Sequence, residues 1–233
     1  MKKNLNDKWA LVTGSSRGIG QQIALGLASL GCNLIVHGRA AGNLEKTLGL
    51  LTASQGEVAA VYGELDSEQG VAQVIEQTFA ITPRLDILYN NAAIGCDSTP
   101  VFEFNMSVWQ KVFQVNVLAI AKLCNAFGPG MKARNWGRIV NVSSGIADQP
   151  NLAPYSVSKA AVDKFTKDLA FEFKDTNVRV NCIDPGWIQT DLGGPDAWDV
   201  VESTIPGMLA PLIVDDNGPN GEYFRAQDYK YFD

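Results

Sequence analysis

The stretch WALVTGSSRGIGQQIALGLASL, residues 9–30, decides how this chain begins to fold. It opens with a short apolar run that predicts a β-strand, and from Ile19 to Leu30 its apolar residues recur at the spacing of an α-helix. The turn between them, residues 13–20, carries three glycines in the order G-x-x-x-G-x-G. Glycine tolerates positive φ and lets backbone N–H groups approach a phosphate at a helix N-terminus. The turn is either a dinucleotide-binding turn or an ordinary tight connection, and its place in the first strand–helix unit favours the former.

The rest of the chain repeats this alternation of short β-branched runs and longer amphipathic runs. Strands that are nearly continuous in apolar residues and separated by helices indicate a parallel sheet covered on both faces. No linker, repeat or low-complexity tract interrupts the pattern, so we predict a single doubly wound, Rossmann-type α/β domain over residues 1–233, with six to seven strands. An eight-stranded barrel would need more strand–helix units than the sequence offers. The predicted strands are 9–13, 33–37, 58–62, 85–89, 138–142, 178–183 and 221–224; the predicted helices are 18–30, 44–53, 67–81, 107–125 and 155–174, with a break at Gly128-Pro129 before a continuation to Arg134 and faint helical spacing over 198–212.

Composition excludes several classes of function. A net charge of −6 argues against nucleic-acid binding, which usually needs a basic face. The only histidine, His37, rules out a zinc site with two or more histidine ligands, and no Cys-x-x-Cys pair occurs, so we predict no metal. The four cysteines are expected to be reduced residues of a cytoplasmic protein. We expect neither a signal peptide nor a membrane span, because the longest apolar stretch, 112–127, is interrupted by polar residues.

Two arginines bear on which dinucleotide the turn would hold. NAD sites place an acid roughly 20 residues after the turn, where NADP sites use arginine. Here no acid occurs between Gly14 and Glu45, Arg39 follows the second strand, and Arg17 lies within the turn. Guanidinium groups suit the 2′-phosphate of NADP, so we predict a preference for NADP(H) over NAD(H), unless both arginines are solvated surface residues. His37 adjoins the same strand end, where a single histidine is more often incidental.

A tyrosine and a lysine four residues apart share one face at the start of the last predicted helix. The ammonium of Lys159 and a cationic nicotinamide would lower the pKa of Tyr155 from about 10 toward neutrality, so that the phenol could act as a general acid or base. Ser143 and Ser144 end the fifth predicted strand at the carboxyl edge of the sheet, where open α/β folds bind ligands. Ser144 would donate a hydrogen bond to the reacting oxygen. Alone, the Tyr-x-x-x-Lys spacing also fits an exposed helical pair.

Together these motifs resemble the short-chain dehydrogenase/reductase family, and the resemblance covers nearly the whole chain. The segments that carry it are TGSSRGIG at 13–20, NNAA at 90–93, Asn116 within FQVNVLA, IVNVSS at 139–144, YSVSK at 155–159 and DPGWIQTD at 184–191. The resemblance implies a catalytic tetrad of Asn116, Ser144, Tyr155 and Lys159. Tyr155 would protonate a carbonyl oxygen, Lys159 would bind the nicotinamide ribose, and Asn116 would hold a water of a proton relay.

The resemblance also implies cofactor contacts along the carboxyl edge of the sheet, for the pyrophosphate, the adenosine and the nicotinamide. The residues assigned to these contacts are Gly14, Ser15, Ser16, Arg17, Gly18, Ile19, Gly20, Arg39, Glu64, Leu65, Asn90, Ala92, Tyr155, Lys159, Pro185, Gly186, Ile188 and Thr190. The sequence departs from the family pattern at three points. Ala93 replaces the usual glycine, Glu64 stands where an aspartate commonly contacts adenine, and the gap between Ser144 and Tyr155 is slightly short.

The implied activity is hydride transfer between a nicotinamide and a small carbonyl or secondary alcohol, as in a ketone or aldehyde reductase. A 3-oxoacyl-carrier-protein ketoreductase stays open; it would want a basic docking patch near the cleft, for which Lys132, Arg134 and Arg138 form the only local cluster. A non-catalytic NADP(H) sensor would not need the tetrad. An epimerase or dehydratase would need a larger substrate domain, and enoyl reductases space the tyrosine and lysine more widely.

The remaining expectations concern the substrate side and assembly. Residues 191–212 are expected to form a short substrate lid over an open cleft, because PGWIQTDLGGP and GPNGEYFRAQ resemble carbonyl-reductase-like members. The candidate walls, each also compatible with ordinary core, are Ile94, Ile146, Leu152, Trp187 and Trp198. The family implies a homodimer or homotetramer. Apolar residues on the last predicted helix fit either an interface or the core: Ala161, Phe165, Leu169 and Phe173.

Overall fold

A computed structural model describes residues 5–146 and 149–231 of the chain. Seven parallel strands form one open sheet in the order β3-β2-β1-β4-β5-β6-β7. The strands are β1 (Trp9–Val12), β2 (Asn33–Gly38), β3 (Val58–Tyr62), β4 (Ile87–Asn90), β5 (Gly137–Val142), β6 (Val178–Asp184) and β7 (Tyr223–Arg225). The strand order reverses at β1 and β4, so a crevice opens at the carboxyl ends of these strands, where open α/β sheets bind ligands. The predicted Rossmann-type single domain is confirmed, and a closed barrel is excluded.

Helices cover both faces of the sheet. They are α1 (Gly18–Ser29), α2 (Glu45–Leu50), α3 (Glu68–Ile81), α4 (Met106–Phe113), α5 (Ala119–Ala133) and α6 (Ala153–Glu172). One core cluster packs Ile23 and Leu27 of α1 against the sheet together with Met208 and Leu212. The other lies beneath α3, α5 and α6. Continuous burial of the strands on both faces explains their nearly uninterrupted apolar sequences.

The helix that contains Pro129 is longer than predicted. A π-helical turn, Gln114–Leu118, joins α4 to α5, and α5 continues through Pro129 to Ala133. The predicted break at Gly128-Pro129 is therefore wrong. An interior proline costs about 3 kcal/mol, but α5 buries Leu123, Phe127 and Met131, and each such side chain contributes roughly 1.5–3 kcal/mol.

The same stretch bears on the expectation that no segment spans a membrane. Within the described residues, 106–133 is the one helix whose length and mean hydropathy would let it cross a bilayer. Half of it is buried inside the protein. It packs on α3, β4 and β5, as the core helix of a globular domain does.

One further expectation changes in the structure. The faint helical spacing over 198–212 corresponds to two short 3₁₀ helices, Val201–Thr204 and Gly207–Leu212, because Pro206 and Pro211 cannot donate the backbone hydrogen bonds of an α-helix. The apolar spacing there reflects burial of the second segment against α1 and the sheet. On the apolar face of α6, Phe173 is buried, and the half-buried Phe165 and Leu169 pack against the core cluster, so an interface role for this face stays a prediction.

Candidate active site

The glycine turn after β1 is a tight cradle that side chains would fill. Gly14 and Gly18 have φ values of +65° and +59°, which favour glycine. A Cβ on Gly14 would lie 3.0 Å from the Cα of Ala92, and one on Gly20 would lie 2.4 Å from both the Gly14 oxygen and the Asn91 Nδ2. The three glycines thus let β1, α1 and the segment after β4 meet.

The N-terminus of α1 opens at this cradle. Arg17 occupies the N-cap position without a capping side-chain hydrogen bond, and the first turn has no acidic residue. Free N–H groups and the positive end of the helix dipole favour an anion at such a position. The segment after β6 returns to the same place, because a Cβ on Gly18 would lie 3.5 Å from the methyl carbon of Thr190.

His37 braces the glycine turn from below. Its Nδ1 accepts a hydrogen bond from the Gly14 N–H at 3.0 Å, which places the ring proton on Nε2, 3.0 Å from the Gly63 oxygen. Burial lowers the pKa of His37, so the ring is neutral. The buried Ser15 hydroxyl accepts from the His37 N–H at 2.9 Å. The interpretation of His37 as incidental is therefore wrong; its place on a buried parallel strand was the available signal.

The two arginines do not converge on one point. The Nε of Arg17 lies 2.6 Å from Asp191, and both side chains are exposed. Arg39, also exposed, lines a depression next to β3 together with Glu64, Tyr62 and Ser67. The depression therefore carries one guanidinium and one carboxylate, where the sequence predicted two guanidinium groups.

The other residues predicted to contact a cofactor divide by exposure. Those lying at least partly on the surface of the crevice are Ser16, Ile19, Ala92, Gly186 and Thr190. Those buried beneath it, which shape it from below, are Ser15, Gly20, Leu65, Asn90, Pro185 and Ile188. Asn90, for example, donates from Nδ2 to Asn141 at 2.8 Å within the sheet.

Three members of the predicted tetrad meet where β5 ends and α6 begins. Tyr155, in the first turn of α6, shares a side-chain hydrogen bond with Ser144. The Lys159 Nζ donates to the Val142 oxygen at 2.8 Å and lies 5.7 Å from the centre of the Tyr155 ring. Burial lowers the pKa of Lys159 to about 8. The sequence prediction that these residues form one site at the carboxyl edge agrees with this geometry.

The protein's own groups shift the Tyr155 pKa upward. Burial has the largest effect and raises the pKa, the Ser144 hydrogen bond lowers it, and the charges of Asp184 and Cys96 raise it. The charge of Lys159, 5.7 Å from the ring centre, does not reverse this rise, so the expected net lowering is not found. Tyr155 therefore holds its proton at neutral pH, which suits proton donation to a substrate.

Asn116 connects the long helix to the loop after β4. It lies in the π turn, is fully buried, and its Oδ1 accepts from the Ile94 N–H at 2.9 Å. Its Nδ2 donates to the Ile94 oxygen and to Ser158 Oγ at 2.9 and 3.0 Å. The side chain is thus satisfied by protein partners and positions Ile94, while its assignment to a relay water stays a prediction. π turns often occur at functional positions.

The predicted substrate walls surround the same edge to different degrees. Ile94, Ile146 and Leu152 are half-buried. Trp187 is 45% exposed and Trp198 81% exposed, and their rings pack edge to face with centroids 5.5 Å apart. Sequence reasoning missed three residues at this edge: Asp184, Cys96 and Leu192. Leu192 lies against the loop after β4, where a Cβ added to Gly95 would be 2.6 Å from a Leu192 methyl carbon.

Comparison with known proteins agrees with the fold. The family model described as short chain dehydrogenase matches residues 8–198. The chain belongs to this family. This short-chain dehydrogenase is 39% identical over 196 residues to the pig "Dehydrogenase/reductase SDR family member 4", covering 82% of this chain and 69% of the relative. It is 36% identical over 186 residues to the "3-oxoacyl-[acyl-carrier-protein] reductase" of Synechocystis sp., covering 78% and 75%.

Solved structures give the same family and differ in cofactor. A blue fluorescent protein from a metagenomic library, in complex with NADPH, superposes with a TM-score of 0.84 at 27% identity over 95% of this chain and 97% of its own. An NAD⁺-bound xylitol dehydrogenase superposes with a TM-score of 0.85 at 26% identity over 96% and 98%. This short-chain dehydrogenase is therefore an oxidoreductase of a family in which both nicotinamide cofactors occur.

Proposed function

We propose that this short-chain dehydrogenase is an NADP(H)-dependent ketone or aldehyde reductase that acts on small molecules. The observation that carries the proposal is the placement of the Tyr155 phenol, bonded to Ser144 and set beside the buried Lys159 at the carboxyl edge of the sheet.

The chain's residues fit a nicotinamide dinucleotide. The cradle that Cβ atoms on Gly14 and Gly20 would fill, and the uncapped N-terminus of α1, suit a pyrophosphate. Arg39 would hold the 2′-phosphate, and Lys159 would contact the nicotinamide ribose. When bound, the cofactor supplies the hydride that reduces the carbonyl carbon.

The remaining chemistry belongs to protein side chains. The Tyr155 hydroxyl donates its proton to the carbonyl oxygen, and the Ser144 hydroxyl donates a hydrogen bond to the same oxygen as negative charge develops there. The Lys159 ammonium, with a pKa of about 8, is largely charged at neutral pH. It lies beside the ring that becomes negative after proton transfer, so it favours that step.

Removal of one oxygen tests the proposal. Tyr155→Phe is expected to abolish ketone reduction by NADPH and to preserve NADPH binding, measured by nucleotide fluorescence and thermal shift. Tyr231→Phe is the matched control, because that hydroxyl is on a residue 96% exposed, and it is expected to retain wild-type turnover. Turnover of Tyr155→Phe near the wild-type rate would refute the assignment.

Preference for NADP(H) rests on the end of β2. Arg39 is exposed there, and the absence of an acid between Gly14 and Glu45 leaves no side-chain carboxylate on β2 to accept from a ribose 2′-hydroxyl. Glu64 in the same depression opposes a phosphate, and Arg17 is paired with Asp191. We therefore assign the preference mainly to Arg39.

A 3-oxoacyl-carrier-protein reductase is the second candidate, favoured by the similarity to the Synechocystis relative. The basic cluster that would dock an acidic carrier lies at the opposite edge of the sheet. Arg138 is buried near the start of β5 and bonds Asp216, and Arg134 donates to the Leu85 oxygen before β4. The position of this cluster favours a small-molecule reductase.

A further inference from the structure

A buried carboxylate lies next to Tyr155 and has no role in the chemistry above. Asp184 ends β6 and is 9% exposed. Its Oδ1 accepts from the Gly186 N–H at 2.9 Å, and its Oδ2 faces Gly145, where a Cβ would lie only 2.5 Å away. Gly145 follows Ser144 directly, so the carboxylate is held against the segment that bonds Tyr155. Its charge acts on the phenol and raises the Tyr155 pKa.

Among the residues that the structure describes, no cation forms an ion pair with Asp184. Asp184 is absent from the ion pairs found in residues 5–146 and 149–231. Arg225 is its register partner in β7, but the arginine side chain is exposed and makes no ion pair with it. The Lys159 amine donates to the Val142 oxygen instead. Among the described residues, Asp184 therefore has no direct ion-pair partner, and the charged Lys159 beside Tyr155 is hydrogen-bonded to the Val142 oxygen.

Two of the described cations near the mouth of the cleft are already paired with acids. Arg17 is paired with Asp191, and Lys230 is paired with Asp199 at 2.9 Å. Both acids lie in the segment that follows β6. An incoming carboxylate or phosphate would have to compete for cations already bound to these acids.

The same segment provides an apolar surface. Trp187 and Trp198 pack edge to face and remain exposed, and the Trp187 Nε1 donates to the Gly193 oxygen at 2.8 Å, which fixes that ring. Aromatic rings of this kind bind apolar or cationic groups and do not favour anions.

We propose that this cleft selects uncharged or cationic carbonyl compounds with an apolar group over carboxylate-bearing ones, and that Asp184 is the residue that sets the selection. The inference rests on the proposed reductase function and names the substrate class of that site. An anion close to the reacting carbonyl is repelled by Asp184, and a cation is attracted.

Three aryl ketones with different charge near the carbonyl test the proposal: benzoylformate, its methyl ester, and 2-(trimethylammonio)acetophenone. Reduction by NADPH is measured as kcat/KM for wild type and for Asp184→Asn, in which the side-chain oxygen can still accept from Gly186. Because the three ketones differ in intrinsic reactivity, the readout is a ratio: kcat/KM for a charged ketone divided by kcat/KM for the neutral ester. We compare how much each variant changes this ratio. Asp97→Asn, which removes an exposed carboxylate, is the matched control.

We expect Asp184→Asn to raise the anion-to-ester ratio at least fivefold and to lower the cation-to-ester ratio by a similar factor. Asp97→Asn should change either ratio less than twofold. Asp184→Ser provides a second uncharged variant should the asparagine variant misfold, as judged by circular dichroism, and it should shift both ratios in the same directions. Unchanged ratios in a folded uncharged variant would overturn the inference and leave the reductase function standing. If wild type bound NADPH but reduced none of the three ketones, the proposed function would fail, and the inference with it.

Discussion

Acidification should loosen the glycine turn through His37. The neutral ring accepts from the Gly14 N–H and donates to the Gly63 oxygen. Protonation of Nδ1 replaces that acceptor with a second donor, so the hydrogen bond to Gly14 is lost. Because burial lowers the His37 pKa in the folded state, the unfolded chain binds the proton more readily. Stability is therefore fully present above the unfolded pKa of about 6.5 and falls as the pH drops below it.

The size of the stability change follows from the difference in His37 pKa between the folded and unfolded states and from the two hydrogen bonds that the ring makes. One group can change stability by at most about 1.4 kcal/mol per pH unit. Between pH 6.5 and 5 the His37 contribution is therefore at most about 2 kcal/mol. His37→Phe removes both side-chain bonds at every pH, and leaving a buried polar group unsatisfied costs about 1–3 kcal/mol for each of Gly14 and Gly63.

The assay compares wild type with His37→Asn, whose amide oxygen can accept from Gly14 and does not titrate. In urea unfolding at pH 7, 6 and 5, the free energy of unfolding of wild type should fall relative to that of the variant as the pH drops. Comparison with the variant cancels the opposite contribution of Asp163, whose pKa is raised by burial. Since the chain has one histidine, its imidazole NMR signal reports its pKa directly. A midpoint at or above 6.5, or a stability difference constant with pH, would refute the reasoning.

Three further outcomes are expected. Gly20→Ala should weaken NADPH binding at least tenfold, because a Cβ there would lie 2.4 Å from the Gly14 backbone oxygen. The control is Gly49→Ala at an open helical position, which should bind NADPH normally and stabilise the protein by about 0.5–1 kcal/mol. Equal NADPH affinities in the two variants would contradict the role of Gly20. Asn116→Ala should lower the free energy of unfolding by about 1–3 kcal/mol, and an unchanged urea midpoint would count against its positioning role. Arg39→Ala should reduce the NADPH-over-NADH preference in kcat/KM by roughly 10- to 150-fold, the equivalent of one charged hydrogen bond of about 1.5–3 kcal/mol. An equal or larger effect of Arg17→Ala would place the 2′-phosphate at Arg17 instead.

The strands were predictable because their burial on both faces leaves a direct sequence signal. Runs such as NLIVH and RIVNV can only be buried between helices, and the glycines after β1 have few other uses at a strand–helix junction. The long helix was harder to predict. Its local signals at Pro129 favour a break, whereas packing against α3 and the sheet favours continuity, and only the fold shows that packing. The same holds for the π turn, whose extra residue is stabilised by contacts between Asn116 and a distant loop.

The candidate site divides in a similar way. The cofactor side is built from backbone, and the need for glycine at positive φ can be recognised in a single sequence. The direction of the Tyr155 pKa shift could not be recognised, since it depends on Ser144, Cys96 and Asp184, which three separate segments bring to the sheet edge. The Tyr-x-x-x-Lys spacing suggested a lowered pKa, yet the fold buries the phenol and brings Asp184 close enough to raise the pKa.

This arrangement has a consequence for the direction of catalysis. With its pKa raised by burial and by Asp184, Tyr155 carries a proton at neutral pH and is ready to donate it to a carbonyl oxygen. Alcohol oxidation needs the same group as a base, so the phenol must first lose its proton against both effects. Each unit by which the pKa exceeds the working pH costs about 1.4 kcal/mol to form the phenolate that oxidation needs, and it also makes the phenol a weaker acid in reduction. Oxidation should therefore gain rate as the pH rises, and the positive charge of an oxidised nicotinamide should lower the Tyr155 pKa.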